Sequence, residues 1–347
     1  MLERIRAEIA GAGGWISFAR YMELALHAPG LGYYSRGARQ FGAEGDFVTA
    51  PELGTLFGRT LARQLKELEG PILELGAGSG ALADTLLKEL DREYFILETS
   101  GALRERQAKR LGDRVKFLER LPERFRGVIV ANEVVDAMPV HAIAWRDHGL
   151  VERGVVYEEH LAWAERPASG EVLHEARTIK VPVPYESELG LAARGWMRSL
   201  AASLEQGVIF VIDYGFPRQE YYHPQRSMGT LMCHTRHRAH GDPFLRPGEQ
   251  DITAHVDFSA LAAAAREAGL DLLGYATQAQ FLVNCGITEV LGQANLDNAL
   301  HYAPIAAEAQ LLLSPAEMGE LFKVLAAGRG VKQPLLGFSR GERSPTL

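Results

Sequence analysis

The run Glu74–Gly80 reads ELGAGSG and follows a short apolar segment, which makes it the strongest candidate for a ligand-binding loop in this sequence. Glycine permits tight turns with positive φ, and a ligand can approach its backbone closely because it has no Cβ. A helix that begins after the loop would add free N–H groups and a partial positive charge. We expect a cofactor to contact Glu74, Gly76, Gly78, Ser79 and Gly80.

Two cofactors fit the spacing of this loop. The pattern G-x-G-x-x-G/A, met by Gly76, Gly78 and Ala81, is typical of dinucleotide-binding loops. The pattern E-x-G-x-G-x-G, which begins at Glu74, is typical of class I methyltransferases that use S-adenosylmethionine. The Glu74 carboxylate favours the second cofactor because it attracts ammonium and sulfonium charges and repels a pyrophosphate. Glu98, 22 residues after Gly76, suits the ribose hydroxyls of either cofactor.

Carboxylates also follow two later apolar runs, GVIVA and GVIFVI. Asn132, Glu133 and Asp136 come after the first run, and Asp213 follows the second. We assign Asn132 to the cofactor and the three acids to catalysis. In a methyl transfer the protein mostly aligns the nucleophile and excludes water. If that nucleophile is a guanidinium group, its pKa above about 12 keeps it charged. Acidic side chains would then be needed to bind it and orient its charge. The alternative is structural, with these side chains acting as helix caps or solvated acids.

Several histidines lie in the segment 215–255, which is rich in Gly, Pro and Arg. His255 precedes a predicted helix and could accept a proton or orient a substrate, and a structural histidine fits equally well. The spacing of Cys233-His234-x-x-His237-x-x-His240 matches no zinc motif. Because Arg236 and Arg238 would repel a cation, we expect no metal. The arginines predict a basic lip that grips an acidic partner or covers the cofactor.

Strands that alternate with helices position these residues. Such alternation predicts a parallel sheet with right-handed crossovers, whose carboxyl edge binds ligands. We therefore predict an α/β, doubly wound, Rossmann-like core of about seven strands, interrupted by an antiparallel meander in 138–185. The predicted strands are 71–75, 94–97, 115–118, 127–131, 207–213, 270–275 and 334–339. The predicted helices are 15–27, 52–69, 80–90, 101–111, 187–205 and 257–268, and the region 279–328 is also predicted to be helical.

The chain divides into an extension and a core with insertions. Residues 1–70 form a helical extension with a glycine-rich loop that covers the cofactor, and residues 71–347 form the core. The insertions in the core are expected at about 138–185, 215–255 and 279–328.

Composition narrows the class of protein. The chain has 347 residues, 47% hydrophobic and 23% charged, which is ordinary for a globular protein with a full-sized core. A net charge of −7 makes nucleic acid an unlikely general partner, and no apolar run reaches the length of a membrane span.

Two cysteines suggest free thiols in a reducing compartment. Glu3 and Glu8 dilute the positive charge of Arg4 and Arg6 at the N-terminus, which is untypical of a leader peptide, so we expect a cytoplasmic protein.

Taken together, motifs along residues 15–339 resemble the MidA-like methyltransferases. The motifs that carry this resemblance, beside the glycine loop, are YMELAL from Tyr21, PGLGYY from Pro29, GDFVTAPE from Gly45, NEVVDAMP from Asn132, DYG from Asp213, GTL from Gly229, HRAH from His237 and TAHVDF from Thr253.

The resemblance implies a class I methyltransferase fold, S-adenosylmethionine as the cofactor and transfer of a methyl group to an arginine of a protein. It also implies that Asp46 and Thr49 lie in a loop over the cofactor and that Tyr33 and Tyr34 close the site toward substrate. The family includes an arginine methyltransferase that assembles mitochondrial respiratory complex I, so a respiratory-complex subunit is a candidate substrate. Met232-Cys233 departs from the polar residues expected there.

Other functions stay open at this stage. An RNA or small-molecule methyltransferase is one, although the Pro-Pro-aromatic motif of nucleobase enzymes is missing after Asn132. A cofactor-binding assembly chaperone with little catalysis is another, and a dinucleotide oxidoreductase is disfavoured by Glu74. The oligomeric state is open, with a homodimer among the possibilities.

Overall fold

The computed structural model describes residues 1–36, 49–235, 238–294 and 298–347. Asp46 lies outside these residues. The helices, in chain order, are α1 Leu2–Gly11, α2 Phe18–His27, α3 Ala50–Leu53, α4 Leu56–Leu65, α5 Ala81–Glu89, α6 Gly101–Leu111, α7 Gly170–Arg177, α8 Leu191–Ser203, α9 Arg218–Tyr221, α10 Phe258–Glu267, α11 Gln278–Asn284, α12 Ile287–Leu291, α13 Ala299–Leu313 and α14 Met318–Leu321. The strands are β1 Ile16–Ser17, β2 Ile72–Leu75, β3 Tyr94–Leu97, β4 Lys116–Leu118, β5 Phe125–Asn132, β6 His141–Arg146, β7 Gly149–Tyr157, β8 Leu161–Pro167, β9 Tyr185–Leu189, β10 Leu204–Phe216, β11 Met232–Thr235, β12 Arg238–His240, β13 Asp251–Thr253, β14 Val256–Asp257, β15 Asp271–Thr277 and β16 Phe322–Arg329.

A large mixed sheet carries the fold, with strand order β15-β16-β10-β5-β2-β3-β4. The five strands from β10 to β4 run parallel, whereas β16 runs antiparallel to both of its neighbours. The short strand β14 adds to the end of β10. This arrangement confirms the predicted Rossmann-like core of about seven strands. Because the parallel strands share a direction, β2, β3, β5 and β10 all end at one edge of the sheet.

Helices cover both faces of this sheet, which explains the continuous apolar run 208–212 in β10. Val208, Phe210 and Ile212 belong to one core cluster, with α4, α5 and α11. Ile209 and Val211 belong to the other, with α8 and α10. Successive side chains of a strand point to opposite faces, so a strand buried on both sides needs a continuous apolar run.

A second sheet lies beside the core, with order β1-β7-β6-β9 and β8 paired to β7. Its antiparallel pairing confirms the meander predicted within 138–185. The N-terminal extension packs on this sheet through β1 and through buried side chains of α1 and α2. A three-stranded sheet, β12-β11-β13, completes the architecture, and one of its faces joins the same cluster through Cys233 and Ile252.

The last strand differs from the prediction. Residues 336–338 form a single 3₁₀ turn, and the strand is β16, which lies in the region 279–328 predicted to be helical. The run FKVLAAGR is buried along almost all of its length. A short apolar run of this kind shows no strand periodicity, and its alanines and leucine favour a helix, so the sequence alone could not separate the two.

Side-chain caps mark the start of two helices. Ser17 accepts a hydrogen bond from Arg20 N as the N-cap of α2, and Asp257 does the same for Ala260 N at α10. Cys233 and Cys285 are free and buried, while the reducing compartment that they suggested stays a prediction. Within the described ranges, no helix is both long and apolar enough to cross a membrane.

Candidate functional site

A cavity of about 490 Å³ opens at the carboxyl edge of the parallel strands. Its walls come from the glycine loop, the ends of β3, β5 and β10, the start of α3 and one face of the β12-β11-β13 sheet. The predicted site residues that line it are Tyr34, Thr49, Glu74, Gly76, Gly78, Ser79, Glu98, Asn132, Glu133, Asp136 and His255. The structure therefore brings most of the predicted cofactor and catalytic residues together in one place.

The glycine loop turns sharply from β2 into α5. Gly76, Gly78 and Gly80 have φ values of 62°, 54° and 80°, a region that favours glycine. A Cβ on Gly76 would also lie 3.0 Å from the Val134 side chain. Gln107 Nε2 donates to the carbonyl of Gly78 at 2.9 Å and holds the loop in place. Gly80 begins α5 and does not line the cavity, so its role is to shape the turn.

Two acids face the cavity beside the loop. Glu98 accepts hydrogen bonds from Ser100 N at 2.9 Å and Gln107 Nε2 at 3.0 Å. Glu74 lies within β2 and accepts a hydrogen bond from the Tyr94 hydroxyl at 2.7 Å. Burial raises the pKa of Glu74 to about 7, against the opposing effect of the Tyr94 hydrogen bond. A cation placed in the cavity would restore the charged form of this carboxyl group.

Glu133 adopts a strained backbone conformation at the end of β5. Its φ is 52°, and it is the one non-glycine residue with positive φ among the described residues. Its carboxylate accepts hydrogen bonds from Asn132 Nδ2 at 3.0 Å and Ala50 N at 3.4 Å. Burial and the neighbouring charge of Asp136 raise its pKa to about 8. Strain of this kind persists at functional sites, where it aims a side chain at its ligand.

Asp136 and Asp213 have different surroundings. Asp136 lines the cavity, and its Oδ2 accepts a hydrogen bond from the Tyr214 hydroxyl. Burial raises the pKa of Asp136 to about 6, although the Tyr214 hydrogen bond lowers it. Asp213 is fully buried and does not line the cavity. Its carboxyl group accepts main-chain hydrogen bonds from Val135, Asp136 and Tyr214. Asp213 therefore holds the loop after β5 in place, and the predicted direct catalytic contact is corrected to a structural role.

His255 lines the cavity next to Tyr214, with ring centroids 5.1 Å apart. Burial, followed by the positive charge of Arg226, lowers its pKa to about 4. Its Nδ1 is buried and has no hydrogen-bond partner. The ring is therefore neutral at physiological pH, with an acceptor nitrogen available inside the protein.

The two tyrosines that were predicted to close the site have different surroundings. Tyr34 lines the cavity and donates a hydrogen bond to Asp251 at 2.9 Å, while His27 stacks against its ring at 5.7 Å. Tyr33 is fully buried in the N-terminal core cluster, so its predicted substrate contact is corrected. The sequence prediction missed other lining residues, namely His27, Glu52, Thr99, Tyr214, Met232, His234, Asp251, Thr253, Leu321 and Phe322.

The residues present fit S-adenosylmethionine. Asn132 Oδ1 and Asp136 Oδ1 are buried acceptors without a partner, as expected where a ligand supplies the donors. Glu98 stands at the end of β3, where its carboxylate can bind ribose hydroxyls, and Glu74 and Asn132 can hold the cofactor's ammonium group. Ser79 donates a hydrogen bond to Glu52, which ties α3 to the glycine loop.

Comparisons with known proteins agree with this geometry. Residues 56–276 match the profile of a family described as S-adenosyl-L-methionine-dependent methyltransferase. A Burkholderia thailandensis protein crystallised with S-adenosyl-homocysteine shares 50% identity with this chain and superposes with a TM-score of 0.96, over 99% of this chain and 96% of that chain. A native crystal structure from the same organism shares 49% identity over 99% of this chain and 96% of that chain, with a TM-score of 0.94.

Curated relatives are more distant in sequence. The Drosophila melanogaster protein arginine methyltransferase NDUFAF7 homolog is 29% identical over 98% of this chain and 88% of its own length. The human protein of that name is 27% identical over 94% of this chain and 82% of its own length. Since the family profile covers more than half of the chain and the cavity fits the cofactor, the protein belongs to this family of S-adenosyl-L-methionine-dependent methyltransferases.

Proposed function

We propose that the protein methylates an arginine side chain of a protein substrate. The observation that carries the proposal is the pair Glu133 and Asp136, two carboxyl groups that line the cofactor cavity, the first half-buried and the second buried. Among the described lining residues there is no Lys or Arg that would neutralise them. A guanidinium group has five N–H donors and a permanent positive charge, and it would satisfy both acids at once.

When bound, S-adenosylmethionine supplies an activated methyl group. Glu133 and Asp136 accept N–H bonds from the substrate guanidinium and align one nitrogen for in-line attack. As the N–C bond forms and the S–C bond breaks, that nitrogen releases a proton. Glu133 accepts the proton, and its pKa of about 8 lies near the pH at which a general base is most efficient.

The names of the relatives support the arginine assignment. The Drosophila and human relatives are both called protein arginine methyltransferases, although each is less than 30% identical to this chain. We further propose a subunit of a respiratory complex as the protein substrate, on the strength of the family resemblance in the motifs around Gly45 and Asn132.

A radiolabelled transfer assay tests the proposal. The purified protein is incubated with methyl-tritiated S-adenosylmethionine and a lysate of cells that lack it, and labelled protein is hydrolysed for amino-acid analysis. We expect label in methylarginine, and a loss of at least about 100-fold in E133Q, the typical size of a general-base effect. Glu123 is exposed and outside the cavity, so E123Q is the matched control and should behave as the wild type.

Other results would contradict the proposal. Label in RNA or in a small molecule would identify a different acceptor. Full activity of E133Q would remove Glu133 from the reaction, and retained assembly function without any label would favour a cofactor-binding chaperone. Titration of each variant with S-adenosylhomocysteine shows whether a loss of transfer reflects lost cofactor binding.

A further inference from the structure

Three side chains form a stack that ends at the cavity wall. Arg226 Cζ lies 4.0 Å from the centroid of the Phe216 ring. The Phe216 ring in turn stacks on His255, with centroids 5.2 Å apart and an interplanar angle of 11°. The pairing of Phe216 in β10 with Asp257 in β14 brings the end of β10 beside the residue that precedes β14, His255. Of the three, His255 lines the cavity and Arg226 does not.

Arg226 is itself fixed in place. Its Nη1 donates hydrogen bonds to the carbonyl oxygens of Glu220 and Tyr221, at the end of α9. Because carbonyl groups already anchor this guanidinium group over the aromatic ring, it loses little further conformational freedom by holding that ring in place. The stack therefore connects an anchored cation, through Phe216, to a histidine in the cofactor cavity.

The other groups around His255 also affect its charge. Lys323 of β16 lies 5.5 Å from the Phe216 ring centroid and, like Arg226, disfavours a charged imidazole. A hydrogen bond with the Thr230 main chain favours the charged ring, and burial outweighs it. Tyr214 of β10 packs edge-on to the imidazole at 5.1 Å and separates it from Asp136.

The charge of His255 decides whether its ring can bind a cationic group of the substrate. A charged imidazole would repel a cationic substrate group, whereas a neutral one offers its free nitrogen as an acceptor. His255 Nδ1 is buried without a partner, and Asp136 Oδ1 in the same cavity is also unpartnered. Two unpartnered acceptors in one cavity match a donor that has several N–H groups.

We propose that Arg226 is a positioning residue, which acts through Phe216 to hold the His255 ring as an uncharged hydrogen-bond acceptor for the cationic group of the substrate. The substrate part of this inference rests on the proposed arginine methylation. The part that concerns Arg226, Phe216 and His255 does not, because it is a property of the cofactor-loaded protein alone.

Histidine NMR tests the inference without any methyl acceptor. Protein with isotope-labelled histidine is saturated with S-adenosylhomocysteine, and the His255 signals are assigned by their loss in H255Q. In the wild type, we expect the imidazole to stay neutral down to about pH 5, since its pKa is about 4. In R226M the midpoint should rise by about one pH unit, the usual effect of removing a nearby charge. R226K keeps the charge and should restore the wild-type midpoint.

A matched control separates this effect from a general loss of a surface cation. Arg218 lies 5.7 Å from the Tyr222 ring centroid and is not among the charges that lower the pKa of His255, so R218M should leave the His255 midpoint unchanged. An unchanged midpoint in R226M, with a native circular dichroism spectrum, would overturn the inference. An equal shift in R218M and R226M would overturn it as well.

Kinetics then test the substrate part. With a methylated protein identified, R226M should raise the KM for that protein about twofold at pH 5, where about half of His255 would be charged in R226M, and leave it near the wild-type value at pH 8, where His255 is neutral in both forms. A KM that rises equally at both pH values would contradict a role through the charge of His255. If no arginine is methylated but the NMR midpoint moves, the proposed function fails and the positioning role of Arg226 stands.

Discussion

The hydroxyl group of Tyr214 donates a hydrogen bond to Oδ2 of Asp136, which joins the end of β10 to the loop after β5 inside the cavity. Tyr214 also packs edge-on against His255 at 5.1 Å and against Phe322 at 5.4 Å. One side chain thus contacts the acid proposed to hold the substrate, the neutral histidine and the antiparallel strand β16. We infer that Tyr214 sets both the direction and the proton affinity of Asp136.

Replacement of Tyr214 by Phe should therefore shift the pH dependence of methyl transfer. The Tyr214 hydrogen bond lowers the pKa of Asp136, which burial raises to about 6. Without the bond the pKa rises further, so ionised Asp136 is available only at higher pH. We expect two ionisations on the acid limb of kcat/KM, that of Glu133 near 8 and that of Asp136 near 6, and the lower one should move up by about one pH unit in Y214F. Y185F, whose hydroxyl bonds to a main-chain carbonyl elsewhere, is the control. An unchanged limb would separate Tyr214 from this titration.

The loop conformation predicts a loss of cofactor affinity in G76A. A Cβ at this position meets Val134 at 3.0 Å, and the φ of 62° is strained for alanine. A cost of about 1–3 kcal/mol at a cofactor-binding turn corresponds to roughly tenfold or more in affinity. Calorimetric titration with S-adenosylhomocysteine measures it. In G101A an added Cβ has open space and ordinary φ, so its affinity should match that of the wild type.

Glu74 should make the stability of the cofactor-free protein depend on pH. Its folded pKa of about 7 exceeds the ordinary value of 4.5, so the folded state binds more protons between these values. Stability is therefore lost as the pH rises from 4.5 through 7. Gln cannot ionise, so E74Q does not lose this stability. The free energy of unfolding of E74Q relative to that of the wild type should therefore increase by about 3 kcal/mol from pH 4.5 to pH 8.

Urea denaturation at several pH values measures this difference. Glu105 is exposed, so E105Q serves as the control and should follow the wild type throughout. A constant difference between E74Q and the wild type across the pH range would show that Glu74 is ionised normally in the folded protein.

Asp213 should prove important for stability through its hydrogen bonds. Its carboxylate accepts main-chain N–H groups at 2.9 Å from Val135, 3.2 Å from Asp136 and 2.9 Å from Tyr214. D213A leaves these buried donors unpaired, which costs about 1–3 kcal/mol for each unsatisfied group. We expect a clearly lower urea midpoint than for D271A, which removes an exposed carboxylate. Equal midpoints for the two variants would mean that water replaces Asp213.

Much of the cofactor half of the site could be predicted from the sequence. The residues that carry it, from Glu74 to Gly80 and Glu98, stand directly after short apolar runs, and glycines mark the turn. These signals are local, because the same few residues end the strand, shape the loop and meet the ligand. Caps at Ser17 and Asp257 were predictable for the same reason.

Which side of a strand end faces the cavity could not be predicted. Asp213 and Tyr214 are neighbours, and so are Tyr33 and Tyr34, yet only the second of each pair lines the cavity. Asp213 and Tyr214 lie in β10, where adjacent side chains leave the backbone on opposite sides, so a single step of register would exchange their roles. Tyr33 and Tyr34 lie in the turn after α2, where no periodicity marks the inner side. A sequence marks the end of the strand, whereas packing in the assembled core decides the side.

Residues distant in sequence close the site, and they gave no local signal. His27 comes from α2, Asp251 and Thr253 from β13, and Phe322 from β16, which itself looked helical. The apolar pattern and the glycine loop determined the parallel core and the cofactor class, because both depend on short-range periodicity and turn geometry. Only the tertiary structure decided which distant side chains face the reacting group, because insertion of β16 between β10 and β15 and the packing of β13 over the cavity are long-range contacts.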